Sequence, residues 1–327
     1  MIETSLLLIA GLVLLIVGGE LLVRGAVRVA TAVGVSPLVI GLTLVGFGTS
    51  TPELVTSVQA ALMKSPGIAY GNIVGSNISN ILLIVGAAAL LSPMAITSVA
   101  LKRDGVVMLV VALAFAAVAA LAPLGRAAGV VFIALLLAYV YLAFRQETSA
   151  ATSEHVAVYE KSVALQEADS ALAPSSRPRG SLAVSTLIAL TGLLLVVVGG
   201  RFLVDAAVAL ARGFGISETV IGLTIVAVGT SMPEFVTSVV ASIRKQGDVA
   251  FGNIIGSNIY NLLGIGGFTA LIAPGPVPAA IIRFDNLAMV GVSAALLLFA
   301  WTGLRISRRE GALLLAGYAI YVYAIWP

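Results

Sequence analysis

Apolar residues in this chain come in long unbroken runs, not in the alternations or narrow stripes of a soluble fold. SLLLIAGLVLLIVGGELLV (5–23) and TLIALTGLLLVVVGGRFLV (186–204) are each long enough to cross a bilayer as a helix, which takes about 20 residues. Gly, Pro and charged residues punctuate the runs into ten predicted spans: 4–24, 36–62, 69–92, 105–123, 127–144, 182–207, 217–243, 250–273, 286–302 and 310–326. The first run has no basic residue ahead of it and exceeds a signal-peptide core, so it reads as a retained helix. The pattern predicts an all-α polytopic membrane protein.

Polar islands interrupt two of these spans in the same way. GTSTPELVTS (48–57) returns 181 residues later as GTSMPEFVTS (229–238), and GNIVGSNISN (71–80) returns as GNIIGSNIYN (252–261). At that offset 25 of the 42 positions in 41–82 match 222–263, and a weaker likeness pairs VGGELLVRGA (17–26) with VGGRFLVDAA (198–207). Two copies of five spans follow, 1–145 and 181–327. Because five is odd, the second copy enters the membrane from the opposite side, which predicts an inverted-topology repeat of the kind secondary transporters use. Between them, 146–180 is rich in Ala, Ser and Glu and carries little periodic apolar surface. It predicts a mobile loop with one or two helical turns, and His155, the lone histidine, reads there as a solvated side chain.

Composition sharpens the class. The chain is 60% hydrophobic and 10% charged, with a mean hydropathy of +1.11, far from the roughly 25% charge of soluble domains. It has no cysteine, which excludes disulfides and thiol chemistry. A net charge of +3 is too small for a nucleic-acid surface, and the basic residues serve better as topology signals. With the N-terminus outside, thirteen fall inside (Arg24, Arg28, Lys102, Arg103, Arg145, Lys161, Arg177, Arg179, Arg244, Lys245, Arg305, Arg308, Arg309). Five remain outside: Lys64, Arg126, Arg201, Arg212 and Arg283. Both termini are therefore expected outside and the 146–180 linker in the cytoplasm.

The chemistry lies in the islands. Glu53 and Glu234 sit in apolar spans, where a charge costs roughly 2.5–3.5 kcal/mol on insertion scales and faces the bundle interior or a wet cavity. Pro52 and Pro233 remove helix hydrogen bonds beside them, and carbonyls freed at membrane depth need protein, water or a ligand. Thr49 with Glu53, and Thr230 with Glu234, are i,i+4 pairs, as are Ser76 with Asn80 and Ser257 with Asn261. Gly71, Gly75, Gly252 and Gly256 read as close helix packing, whereas Asn72, Asn77 and Asn80 are divided between interhelical glue and ligands. Each copy thus offers one carboxylate, hydroxyls, amide oxygens and broken-helix carbonyls, with no thiol or imidazole. Such an all-oxygen set suits hard cations such as Ca²⁺ and Na⁺.

At these residues the chain resembles the cation/Ca²⁺ exchanger superfamily, and most of all its prokaryotic sodium/calcium exchanger branch. G-T-S-x-P-E followed by G-N-x-x-G-S-N, complete in both copies, carries the resemblance, which covers the chain apart from its linker. It implies a central cation cluster with alternating access. Glu53 and Glu234 would be its acidic ligands, and Thr49, Ser50, Thr230 and Ser231 would line it. Gly46 and Ala227 would supply carbonyls, and Ser76, Ser257, Asn80 and Asn261 would complete it from neighbouring helices. Relatives of this branch often carry Asp at one of the two positions held here by Asn80 and Asn261, so both Na⁺ and H⁺ remain open as the coupling ion. Spans 4–24 and 182–207 are expected to form the sliding gate.

The sequence thus predicts an antiporter of the prokaryotic inner membrane that extrudes Ca²⁺ in exchange for Na⁺, with a Ca²⁺/H⁺ antiporter as the alternative. The ions are substrates, and no cofactor, nucleic acid or obligate protein partner is expected beyond the lipid bilayer. A passive channel would need weak multi-site binding along a continuous path, which a broken-helix site at one depth does not suggest. An intramembrane enzyme finds no nucleophile–base pair, since no span carries Cys or His.

Overall fold

The computed structural model describes residues 2–35, 40, 43–44, 46–96, 101–149, 157–168 and 181–326. The expectations for 36–39, 41–42 and 45 of span 36–62, for His155 and for most of the 146–180 linker fall outside them. The described chain is nearly all helical: α1 (Ile2–Ala32), α2 (Thr51–Leu62), α3 (Pro66–Leu91), α4 (Leu101–Leu121), α5 (Arg126–Ser149) and α6 (Ala157–Ala168) come first. Then follow α7 (Leu182–Phe214), α8 (Glu218–Thr230), α9 (Met232–Ile243), α10 (Gly247–Ile272), α11 (Ile281–Trp301) and α12 (Arg308–Ile325). Seven described helices are long and apolar enough to cross a membrane, or eight when α8 and α9, bent by 51° at their junction, count as one broken span. The final helix runs for 18 residues but opens on Arg308, Arg309 and Glu310. In the 36–62 stretch, a short helical turn, Gly46–Gly48, precedes α2.

Local chemistry sets the boundaries. Ser181, Ser217 and Ser307 cap α7, α8 and α12, each accepting from a backbone N–H three residues on, and Glu310 completes a capping box. Pro52 and Pro233 stand in the first turn of α2 and α9, where a missing N–H removes no helix bond, so each helix restarts there after a break. Lys64 and Lys245, 181 residues apart, both take left-handed φ (61° and 63°) in the turns that lead into α3 and α10.

The two most buried helices, α3 and α10, form the centre, with one apolar core spread over both. Helix α5 packs on the second half of α10, and α12 on the second half of α3. Helix α1 runs along α7, its backbone pressed against the other at Gly18 and Gly192. A Cβ at Gly18 would stand 2.8 Å from the Val196 nitrogen and 2.9 Å from the Gly192 carbonyl oxygen. Wider π-turns interrupt α3 at Asn80–Val85 and α10 at Tyr260–Ile265, beside the polar islands.

One expectation about the linker requires correction. Residues 157–168 are not a solvated loop but three turns of helix packed on α9 and α10. Ala157, Glu160, Lys161, Ala164 and Leu165 are buried, an i, i+3, i+4, i+7, i+8 stripe. Lys161, which the charge pattern assigns to an inside loop, is fully buried.

Candidate functional site

The breaks before α2 and α9 deliver the two glutamates to the interior, where both are about 1% exposed. Each accepts from the other motif's serine: Ser231 Oγ donates to Glu53 Oε1 at 2.9 Å, and Ser50 Oγ donates to Glu234 Oε1 at 3.4 Å. Ser257 adds a second hydroxyl to Glu234 Oε1 at 3.4 Å. The remaining oxygens, Glu53 Oε2 and Glu234 Oε2, are buried without a hydrogen-bond partner. Among the described residues no group of three or more His, Cys, Asp or Glu side chains gathers. Among the described residues, these two carboxylates are the acidic groups that the motif serines meet.

The asparagines divide by partner. Asn72 Nδ2 donates to the Glu53 carbonyl (3.2 Å) and to Ser57 Oγ (2.9 Å), while its Oδ1 accepts from Thr230 Oγ1 at 3.0 Å. Its counterpart Asn253 holds the Glu234 carbonyl (3.3 Å), Thr237 Oγ1 (2.8 Å) and Ser238 Oγ (2.8 Å). These two clamp the backbone that bears each carboxylate. Asn77 binds within its own helix, Nδ2 to the Ile73 carbonyl at 2.8 Å. Asn80 Nδ2 donates to Asn258 Oδ1 at 3.0 Å, which leaves Asn80 Oδ1 buried and unpartnered, as is Asn261 Oδ1. Two carboxylate oxygens and two amide oxygens without donors are what a buried cation would need.

The other candidate ligands, Thr49, Ser50, Thr230, Ser231, Ser76, Ser257, Gly46 and Ala227, are buried too, though not all of them meet. Ser76 Oγ reaches the Ala227 carbonyl at 3.5 Å, a carbonyl that also accepts the Ser231 N–H at 3.1 Å. Gly46 opens the short turn Gly46–Gly48 that precedes Thr49, and Thr49 Oγ1 is unpartnered, as is Asn253 Oδ1. In the other half the equivalent pair, Thr230 and Asn72, is joined. A cavity of about 400 Å³ opens beside Thr49, lined by Gly19 and Glu20 of α1, Pro52 of α2 and Thr237 of α9, with Leu165 of α6.

The motifs did not point to Lys161. Its Nζ donates to Ser257 Oγ at 2.6 Å and Ser50 Oγ at 3.0 Å, and lies 3.7 Å from Glu234 Oε1. It also stands 5.4 Å from the Tyr260 ring centroid, within cation–π range. Burial drives the lysine pKa down, and the Glu234 and Glu53 charges oppose that. The signal that would have found it is the helical stripe from Ala157 to Leu165.

The chain's similarities lie along this architecture. The family model described as "Sodium/calcium exchanger protein" matches residues 4–145 and 184–326, leaving out the linker. Sodium/calcium exchanger MaX1 of Methanosarcina acetivorans is 37% identical over 98% of both chains. The putative antiporter CaxA of Alkalimonas amylolytica is 36% identical over 100% of this chain and 99% of its own. Inner membrane protein YrbG of Escherichia coli is 34% identical, over 100% and 98%. Among solved structures, the sodium-calcium exchanger NCX_Mj superposes with a TM-score of 0.63 at 32% identity, covering 99% of each chain. Apolar helices, paired carboxylates and full-length likeness converge: the chain is an integral membrane protein of the sodium/calcium exchanger family, a family of transporters.

Proposed function

We propose that this chain is a secondary antiporter that exchanges Ca²⁺ for Na⁺ by alternating access and extrudes Ca²⁺ from the cytoplasm. The observation that carries the reading is the pair of buried carboxylates, one from each motif copy, each with an oxygen that has no protein partner. Two negative charges balance one Ca²⁺ or two Na⁺, so the ions compete for the same oxygens. Glu53 and Glu234 bind the cation, and Thr49, Ser50, Thr230 and Ser231 line it. Ser76, Ser257, Asn80, Asn261 and the carbonyls of Gly46 and Ala227 complete the set.

The architecture that serves this cycle is ten spans in two inverted repeats, 1–145 and 181–327, joined by a cytoplasmic linker, with both termini outside. Helices α1 and α7, closely packed through glycine, move as one gate against the rest. The ions are substrates, the lipid bilayer is the only further partner invoked, and the membrane is the prokaryotic inner membrane. Asn at both 80 and 261 favours a second reading, H⁺ coupling, because neither side chain adds a titratable oxygen.

Radioactive Ca²⁺ uptake into proteoliposomes tests both. Uptake that requires internal Na⁺ supports sodium exchange. Uptake driven by a pH gradient without Na⁺ assigns the chain to proton coupling. Free equilibration of Ca²⁺ with no counter-ion would make the site a pore and end the alternating-access reading.

A further inference from the structure

The two halves pack their glycine stripes on different things. In α3, a Cβ at Gly71 would stand 3.0 Å from Gly222, and one at Gly75 would stand 2.7 Å from the Leu223 Cα and 2.9 Å from the Ala227 Cβ. The stripe of one half is thus filled by the first segment of the other half's broken span. In α10 the equivalent glycines meet the linker helix instead. Gly252 faces Glu160 and Ala157, and a Cβ at Gly256 would stand 3.3 Å from the Lys161 Cδ and 3.4 Å from the Ala157 carbonyl oxygen. Helix α6 therefore holds, against α10, the place that α8 holds against α3. The open Thr49 and Asn253 pair, set against the closed Thr230 and Asn72 pair, is the polar counterpart of that wedge.

Two anchors hold α6 there. At its start, the Ala157 N–H donates to Asp104 Oδ2 at 2.9 Å, and Tyr139 OH donates to Asp104 Oδ1 at 3.2 Å. A carboxylate at the N-terminus of a 12-residue helix also meets the positive end of its dipole. One turn further on, Lys161 places its ammonium between Ser50, Ser257, Glu234 and the Tyr260 ring. Those are oxygens of the candidate cation site, gathered from both motifs.

We propose that Lys161 is a tethered cation that competes with the transported ions for Glu234, Ser50 and Ser257, and that Ca²⁺ or Na⁺ enters by displacing α6 from the α10 groove. The proposal rests on reading this site as the transport site. It makes the linker a determinant of apparent ion affinity: the ammonium is one of the ligands the site chooses among. Removing the charge, or the anchor that delivers it, strengthens the apparent binding of free cations.

The test uses full-length protein in proteoliposomes and in detergent. Lys161→Gln lowers the Ca²⁺ concentration for half-maximal uptake by at least about fivefold, the low end of ordinary coupling between two ligands. Asp104→Ala, which removes a carboxylate that bonds Arg103, Tyr139 and the Ala157 N–H and none of the candidate cation ligands, shifts it in the same direction. The chain has no cysteine, so Ala164→Cys, at a buried position on α6, supplies a single maleimide target. Its labelling accelerates severalfold when Ca²⁺ is added, and the acceleration is lost with Glu234→Gln. Unchanged half-saturation in Lys161→Gln, or loss of uptake in that variant, overturns the competitor role. Ca²⁺-independent labelling of Ala164→Cys overturns the displacement even if Lys161→Gln folds poorly. These failures leave wild-type Ca²⁺ uptake intact, whereas wild-type protein that takes up no Ca²⁺ under any gradient overturns the transport reading together with the plug.

Discussion

Asn72→Ala separates scaffolding from coordination among asparagines that the sequence repeats side by side. The amide holds the Glu53 carbonyl at 3.2 Å and Ser57 Oγ at 2.9 Å, and accepts from Thr230 at 3.0 Å. Thr230 keeps its bond to the Val226 carbonyl at 3.1 Å, and the Glu53 carbonyl belongs to a continuing helix, so the main orphan is the buried Ser57 hydroxyl. The orphaned hydroxyl costs about 1–3 kcal/mol and each of the three lost neutral hydrogen bonds about 0.5–1.5 kcal/mol, which together give about 2.5–7.5 kcal/mol of lost stability. Asn261→Ala removes a buried amide whose oxygen has no partner in the protein, so the relief of that unsatisfied group offsets the lost packing and stability should fall by less than in Asn72→Ala. Reversible denaturation in detergent micelles measures both stability changes, and Ca²⁺ titration of uptake measures the apparent affinity of each variant. The expected result is a crossed pattern: Asn72→Ala loses more stability, whereas Asn261→Ala loses less of it and loses apparent Ca²⁺ affinity. Equal stability losses in the two variants would refute the division of labour.

Further outcomes follow from the same geometry. Glu53→Gln and Glu234→Gln should each abolish Ca²⁺ uptake while the purified protein keeps its elution profile; wild-type-like exchange in either would sink the assignment of the site. Gly192→Leu should destabilise the protein by about 1–3 kcal/mol or more, because the added side chain meets the α1 backbone around Gly18 and cannot be accommodated without separating the helices. Denaturation in detergent checks it, and a neutral substitution there would refute the close packing. If α1 and α7 form the proposed single gate, cysteine pairs that tie α1 to α7 should leave transport intact. Pairs that tie either helix to α3 or α10 should stop it, and uptake assays before and after reduction tell the two apart.

The acidic pair was legible in the sequence because a carboxylate among apolar residues is costly wherever it is placed, so its presence twice at a fixed offset demands a use. The breaks were legible for the same kind of reason: proline beside Gly-Thr-Ser cannot continue an unbroken helix, and α8 and α9 bend at that point. The split between Asn72 and Asn80 was not legible. Both lie on α3, and only their neighbours from other helices decide which oxygen is satisfied. Lys161 was hidden by its surroundings, since 146–180 has the composition of a solvated linker. Its buried face mixes Ala157, Ala164 and Leu165 with the charged Glu160 and Lys161, which blurs the hydrophobic signal, and the partners of Lys161 lie 111, 96 and 73 positions away.

The chain has two motif copies, but among the described residues one linker helix packs on only one of them, and that difference has a thermodynamic reach of its own. Whatever free energy α6 contributes by docking favours one side of the cycle, tenfold in resting population for about each 1.4 kcal/mol. It has no influence on the ratio of ion gradients at which net exchange reverses, because a tethered group returns to where it began after every turnover. A docked α6 therefore acts as a brake and not as a ratchet: it sets how many molecules wait, and on which side, and leaves the stoichiometry of the ions to decide which way the cycle runs.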